Sequence, residues 1–431
     1  MLRTHYSTEV PKKDGEKVKV AGWIKNIRDI GKLKFLILRD KNGEIQITIK
    51  DTKIIEQVKS FTKESIVSVN GTVSVNKQAP DGREVIPERI ELINKAEIPL
   101  PLDLGIASKL DTRLNWRCLD LRKPENLAIF KIQSKLIEGL LNYFQKKDFI
   151  FTFTPTLMGS PSESGADLFP VIFFNKEAYL RQDPMLHRQL MIISGFDKVF
   201  EIGPSWRAEL SHTTRHLCEH RTCVAEISFI TDETDIIKLE EDVIIHVLKT
   251  IKKGCSNELK ILDKEIKIPE KPFPELRFPK LYEILEKFDK KIEFGEDYDW
   301  ESEGLLWNYV KKKYKTDFFF VNRFPFKAKP FYVMRVDDEP TWARSVDLIF
   351  KGAELSSGGQ REHRYKNLIQ NIKEKKMGLE NLEWYTKFFK YGVPPHGGFS
   401  IGIERMTKQL LDLKNIREAT LFSRDPERLI P

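Results

Sequence analysis

Apolar and polar positions alternate in five short runs near the start of the chain, at 18–24, 33–38, 44–49, 66–75 and 85–93. A period of two predicts half-buried strands, and turn signals at Lys41-Asn42-Gly43 and Pro80-Asp81-Gly82 separate them. With a short helix expected over 53–61, the pattern predicts a small five-stranded barrel. Pro99, Pro101 and Pro124 then interrupt regular structure, so 99–128 reads as a linker. Beyond it, Ile129, Ile132, Leu136, Ile137, Leu140, Leu141 and Phe144 recur at helical spacing, and 149–153 reads as a strand stopped by Pro155. Strands followed by mixed strands and helices predict an α+β chain with domains 1–98 and 129–431 joined by 99–128.

Composition changes this picture in two ways. The 72 basic and 64 acidic residues leave a net charge of +8, and residues 1–98 hold 19 of the basic and 14 of the acidic ones. More than half of the excess therefore lies in the barrel, which suits a polyanionic partner. Cys118, Cys218, Cys223 and Cys255 show no metal-ligand spacing and no disulfide framework, so a reducing, cytoplasmic setting is expected. No apolar run approaches the roughly 20 residues that span a bilayer, and no membrane association is expected.

Two segments carry candidate chemistry. Residues 196–229 place Arg207, Glu209, Arg215 and His216 on a polar loop between two β-prone runs. Guanidinium forks match phosphate oxygens, so the hairpin is a candidate polyphosphate cradle, although a solvated charged hairpin has the same pattern. Residues 391–405 join a glycine-rich run to Glu404-Arg405 at the start of a predicted helix. Gly397, Gly398 and Gly402 would leave room for a flat ligand that Arg405 could cover. In the barrel, Phe35 between Arg28 and Arg39 is a core residue or a platform for an unstacked base.

Together the Arg-x-Glu loop and the Gly-rich strand ending in Glu-Arg resemble the second and third signature motifs of class II aminoacyl-tRNA synthetases. Over its whole length, from Arg3-Thr4-His5-Tyr6-Ser7 to Arg424-Asp425-Pro426, the chain is similar to aspartyl-tRNA synthetases of the archaeal and eukaryotic type. The most specific matches are Ala328-Lys329-Pro330-Phe331-Tyr332, the run from Glu354 to Arg361, the run from Tyr391 to Phe399, and Asn415-Ile416-Arg417-Glu418-Ala419.

The resemblance implies an N-terminal OB-fold that binds the anticodon and a catalytic domain that forms aspartyl-adenylate from ATP and Mg²⁺, then charges tRNA. It implies ATP contacts from Arg207, Glu209, Arg215, His216, His220, Glu354 and Arg405, with Arg207, Glu354 and Arg405 central to catalysis. Magnesium is expected at Asp347, Glu354 and Ser357. The amino acid is expected at Glu163, Gln182, Asp183, Arg188 and Arg361, and the anticodon at Arg28, Phe35, Arg39, Gln46 and Glu84. The helix, strand and proline after the linker imply a homodimer interface. Departures from the family pattern gather in the amino-acid pocket: Asp183, Met185, Arg188 in place of lysine, and Val224 in place of aspartate. They leave open aspartate or a related acid as substrate, and a catalytically silent tRNA-binding protein is the third reading.

Overall fold

Each of the five alternating runs is a strand. The computed structural model describes residues 1–159, 168–210 and 213–431, and the chain divides into two compact units, Met1–Thr112 and Arg113–Pro431.

In the first unit, β1 (Lys17–Ile30), β2 (Leu33–Arg39), β3 (Glu44–Ile49), β4 (Ile66–Val75) and β5 (Arg83–Asn94) close a barrel in the order β1-β2-β3-β5-β4. β1 is twice as long as its apolar run. Its first half pairs with β4 and its second with β2, across a register shift between Ile24 and Asn26, so one bent strand serves both neighbours. Leu36, Leu38, Ile45, Ile47, Ile49, Val67, Val69 and Val85 point inward and are fully buried, each stabilising the barrel by about 1.5–3 kcal/mol. The helix between β3 and β4, α1 (Thr52–Val58), is shorter than the pattern predicts. Asp51 caps it by accepting from the backbone N–H of Lys53 and Ile54.

The second unit takes in part of the stretch read as a linker. Arg117 is buried there, pairs with Asp120 at 2.8 Å and donates to the carbonyl oxygens of Thr420 and Leu421. Next come α2 (Pro124–Lys146), β6 (Ile150–Phe151), and a small sheet of β7 (Leu157–Met158), β8 (Pro170–Phe173) and β9 (Lys176–Leu180). Then follow α3 (Met185–Ile193), β10 (Lys198–Trp206), β11 (Glu219–Ser228), α4 (Glu233–Gly254), β12 (Glu275–Arg277), α5 (Trp300–Tyr314) and β13 (Phe318–Asn322). The chain closes with β14 (Ser345–Phe350), β15 (Ala353–Gln360), β16 (His396–Gly402) and α6 (Ile403–Leu410).

The large sheet has eight strands in the order β12-β13-β14-β15-β16-β11-β10-β6. Its pairs are antiparallel except at the two ends, β12 with β13 and β10 with β6. One face packs on α2 and α4 through a core containing Ile132, Leu136, Ile244, Val247, Cys223, Ala225, Phe399 and Ile401. Because side chains alternate along a strand, Thr222, Val224 and Glu226 of β11 lie on the opposite face. That face carries the polar site.

Candidate active site and nucleic-acid face

A cavity of about 400 Å³ opens on the polar face of the eight-stranded sheet. Arg207, Glu209, Arg215, His216 and His220 reach it from the β10–β11 hairpin, Glu354, Ser357 and Arg361 from β15 and its end, and Arg405 from the first turn of α6. The two segments singled out by charge and glycine content therefore face one space. Gln182 and Asp183, just before α3, complete one end of it.

The hairpin loop is held from both sides. Arg207 N–H donates to the Cys218 carbonyl oxygen at 3.0 Å, and Glu209 lies 3.5 Å from His216. The Arg215 guanidinium sits 5.1 Å over the ring of Trp300 and 3.8 Å from Glu303, both on α5. Burial pushes His220 down to about 4, with Arg207 and Arg405 adding to the effect, so its imidazole is neutral at physiological pH. Arg405 donates to the Glu354 carbonyl oxygen at 2.7 Å and to its carboxylate at 3.2 Å. This contact fixes the arginine beside the cavity.

Asp347 and Ser357 are cross-strand partners on β14 and β15, and Glu354 precedes Ser357 by three residues on the latter. Asp347 is buried. Lys329 meets one of its oxygens at 2.9 Å, and the other is buried on the side of the Ser357 hydroxyl. Burial pushes its carboxyl up to about 6 against the opposing pull of Lys329. Glu303, beside Glu354, is pushed up to about 7 for the same reason.

The end of the cavity expected to take the amino acid differs from expectation at Arg188. Arg361 lines the cavity, with Nε donating to Glu226 at 2.9 Å and Nη2 to the Gly398 carbonyl oxygen at 2.9 Å. Arg188, expected beside it, is fully buried and does not line the cavity; it lies 3.8 Å from Glu226 and 3.2 Å from Asp183. Gly398 is also used differently. A Cβ there would stand 2.0 Å from the Ala225 carbonyl oxygen and 2.3 Å from the Glu226 carboxylate, so this glycine admits the buried acid and its neighbouring strand, whereas Gly402 does line the cavity. Glu163 lies outside the described residues.

Sequence reasoning missed Glu226, Glu303 and Trp300 as parts of the site. Glu226 had a readable signal, a carboxylate inside an apolar strand, because a charge so placed is buried only with partners. Glu303 and Trp300 had none, since they come from a helix 96 and 93 positions beyond Arg207.

On the barrel, the period of two puts Phe35, Gln46, Thr48 and Glu84 on one outer face. Arg28 is opposite Phe35, Phe35 opposite Thr48, and Gln46 beside Glu84. The Gln46 amide donates to Glu84 at 2.9 Å, and Thr48 donates to the same carboxylate at 2.5 Å. Phe35 is half-buried and Arg28 exposed. Arg39, four residues beyond Phe35 on the same face of β2, is buried and tied to Glu64 at 2.8 Å.

The model of the family described as tRNA synthetases class II (D, K and N) matches residues 109–426, and that of the OB-fold nucleic acid binding domain matches residues 18–93. The chain belongs to the class II aminoacyl-tRNA synthetases. Among relatives of this synthetase, the aspartate–tRNA(Asp) ligase of Pyrococcus furiosus is 43% identical, with both chains covered completely. The aspartate–tRNA(Asp/Asn) ligase of Methanopyrus kandleri is 41% identical over the full length of both. The asparaginyl-tRNA synthetase of Pyrococcus horikoshii complexed with asparaginyl-adenylate superposes with a TM-score of 0.94 at 32% identity, again over the whole of both chains. The synthetase is thus a ligase with an OB-fold nucleic-acid domain, and among its described residues no helix is long and apolar enough to cross a membrane.

Proposed function

We propose that the synthetase activates aspartate with ATP and transfers it to the 3′ end of tRNA. The single observation that carries this reading is Arg361, a buried guanidinium lining the cavity and pinned in place by Glu226 and Gly398. A fixed planar cation suits the side-chain carboxylate of aspartate, whereas the neutral amide of asparagine would leave it with weaker bonds. The two full-length ligase relatives named for aspartate support the same reading. A paralogue for another acid and a silent tRNA binder are not favoured, because Arg207, Arg361, Glu354 and Arg405 all face one cavity.

Activation requires the α-carboxylate to attack the α-phosphorus with pyrophosphate leaving in line. Arg207 would hold the α-phosphate and steady the charge that builds on it, and Arg405 would cover the adenine with neutral His220 also available to stack. Arg215 and His216 would meet the outer phosphates, and Glu209 the adenine edge. Asp347, Glu354 and Ser357 offer oxygen donors only, a set that fits a hard divalent cation such as Mg²⁺. When bound, Mg²⁺ would neutralise phosphate charge. No protein nucleophile is needed, since the amino acid and then the terminal ribose of tRNA are the attacking groups.

For tRNA, Phe35 would stack an unpaired anticodon base while Gln46, set by Glu84, would read its edge and Arg28 would meet the backbone. For assembly, exposed Ile150 and Phe153 at the β6 sheet edge would meet a second copy of the chain, as would exposed Leu157 and Ile172 on the small sheet and Phe174 in its β8–β9 turn. Four free cysteines agree with a cytoplasmic setting.

Exchange of labelled pyrophosphate into ATP, run with aspartate, asparagine, glutamate and other diacids, tests the proposal. Aspartate is expected to support exchange most efficiently; silence with aspartate and turnover with another acid would reject it.

A further inference from the structure

The amino-acid end of the cavity holds four charged groups in a row of alternating sign. Asp183 Oδ1 lies 3.2 Å from Arg188 Nη1, Arg188 Nε lies 3.8 Å from Glu226 Oε2, and Glu226 Oε1 accepts from Arg361 Nε at 2.9 Å. Only the two ends of the row, Asp183 and Arg361, line the cavity; the middle pair is completely buried. The row therefore presents one anion and one cation to whatever binds there.

Among the described residues, the cavity wall has three other carboxylates, and each is turned to a different neighbour. Glu404 accepts from the Arg221 backbone N–H at 2.9 Å, Glu354 accepts from Arg405 at 3.2 Å, and Glu209 lies 3.5 Å from His216. Val224, on the same face of β11 as Thr222 and Glu226, is buried and apolar and offers no charge. An amino acid brings an ammonium with three donors, which needs an acceptor of opposite charge.

We infer that Asp183 receives the ammonium of the amino-acid substrate, and that Arg188 is a positioning residue that holds Asp183 and Glu226 without touching the substrate. This rests on the reading of the chain as an amino-acid-activating ligase. Arg188 has a physical reason to be arginine. Its fork reaches two carboxylates at once, and without it the buried Glu226 and the cavity-facing Asp183 would be left with Arg361 as the one cation in the row.

The test compares aspartate with succinate, which keeps both carboxylates and lacks the ammonium. With the full-length protein, the KM for aspartate and the inhibition constant for succinate are read from pyrophosphate exchange. Asp183→Asn is expected to raise the aspartate KM by about 30-fold or more, with a smaller change in kcat, and to leave succinate inhibition within about threefold. Arg188→Gln should reproduce that selective loss, Arg188→Lys should recover part of it, and the double variant should lose little more than either single one. Equal losses for aspartate and succinate in Arg188→Gln would overturn the inference by making Arg188 a carboxylate ligand, and equal losses in Asp183→Asn would overturn the role of Asp183. If the unaltered protein activates a different amino acid, the aspartate reading fails on its own. The same comparison with that acid and its deaminated analogue then judges the inference separately.

Discussion

Arg361 has two of its three guanidinium nitrogens held by Glu226 and Gly398. Such preorganisation lowers the entropy a ligand must overcome, and it ties recognition to geometry as much as to charge. Arg361→Ala is expected to lower aspartate-dependent exchange by at least about 30-fold while tRNA binding stays near normal, since truncating a buried paired charge costs about 2–5 kcal/mol. Filter binding of tRNA beside the exchange assay checks it; an unchanged exchange rate would remove Arg361 from the site. In the barrel, Phe35→Ala should weaken tRNA charging by about 1–3 kcal/mol, roughly 5- to 150-fold in kcat/KM for tRNA, while sparing exchange. Residue identity was legible where chemistry is rare: Arg207, Arg361 and Arg405 stand out by type and context. Arg39 and Arg188 stand out equally, but whether an arginine faces a cavity or a buried carboxylate depends on partners such as Glu64 and Glu226 that lie far along the chain.

At the scale of elements, period-two patterning located all five barrel strands, and helical spacing located α2. It could not show that β1 would bend and serve two neighbours, or that the strand at 149–153 would pair over only Ile150–Phe151, because pairing depends on partner strands. The packed face of the sheet also carries an unusual group. Glu240 on α4 is fully buried, contacts the Ser356 hydroxyl and is pushed up to about 8 by burial. The folded state thus holds a proton that the unfolded chain releases near 4.5. This favourable contribution is complete below the unfolded value and is lost as pH rises through about 8. Thermal unfolding midpoints should therefore fall between pH 6 and 9, and Glu240→Gln should flatten that fall; identical profiles would show Glu240 to be ionised when folded. At the β6 edge, Phe153 is 84% exposed. Phe153→Glu is expected to shift the sedimentation of a dimer towards monomer, and a protein that is monomeric without the substitution would refute the proposed use of that surface.

At the scale of the molecule, two units divide the work of one ligase. The barrel holds an outer face with an aromatic, an amide and a basic residue, and the larger unit holds a cavity lined by Arg207, Arg215 and Arg405 together with Gln182, Asp183 and Arg361. The whole-chain order of barrel before mixed sheet was legible because each unit has its own periodicity, while the amino-acid end was only partly so, since its charges are arranged by α3, β11 and β15 together. Charging should weaken with salt more steeply than exchange does, because tRNA binding releases counterions from its phosphates and exchange does not involve tRNA. The central claim is that the two units together attach aspartate to tRNA. The measurement that tests it most directly is formation of an acid-precipitable, base-labile ester from labelled aspartate, ATP, Mg²⁺ and tRNA by the purified full-length protein. Aspartyl ester at the 3′ end of tRNA is the predicted result; no ester with aspartate, or ester formed only with a different amino acid, would contradict it.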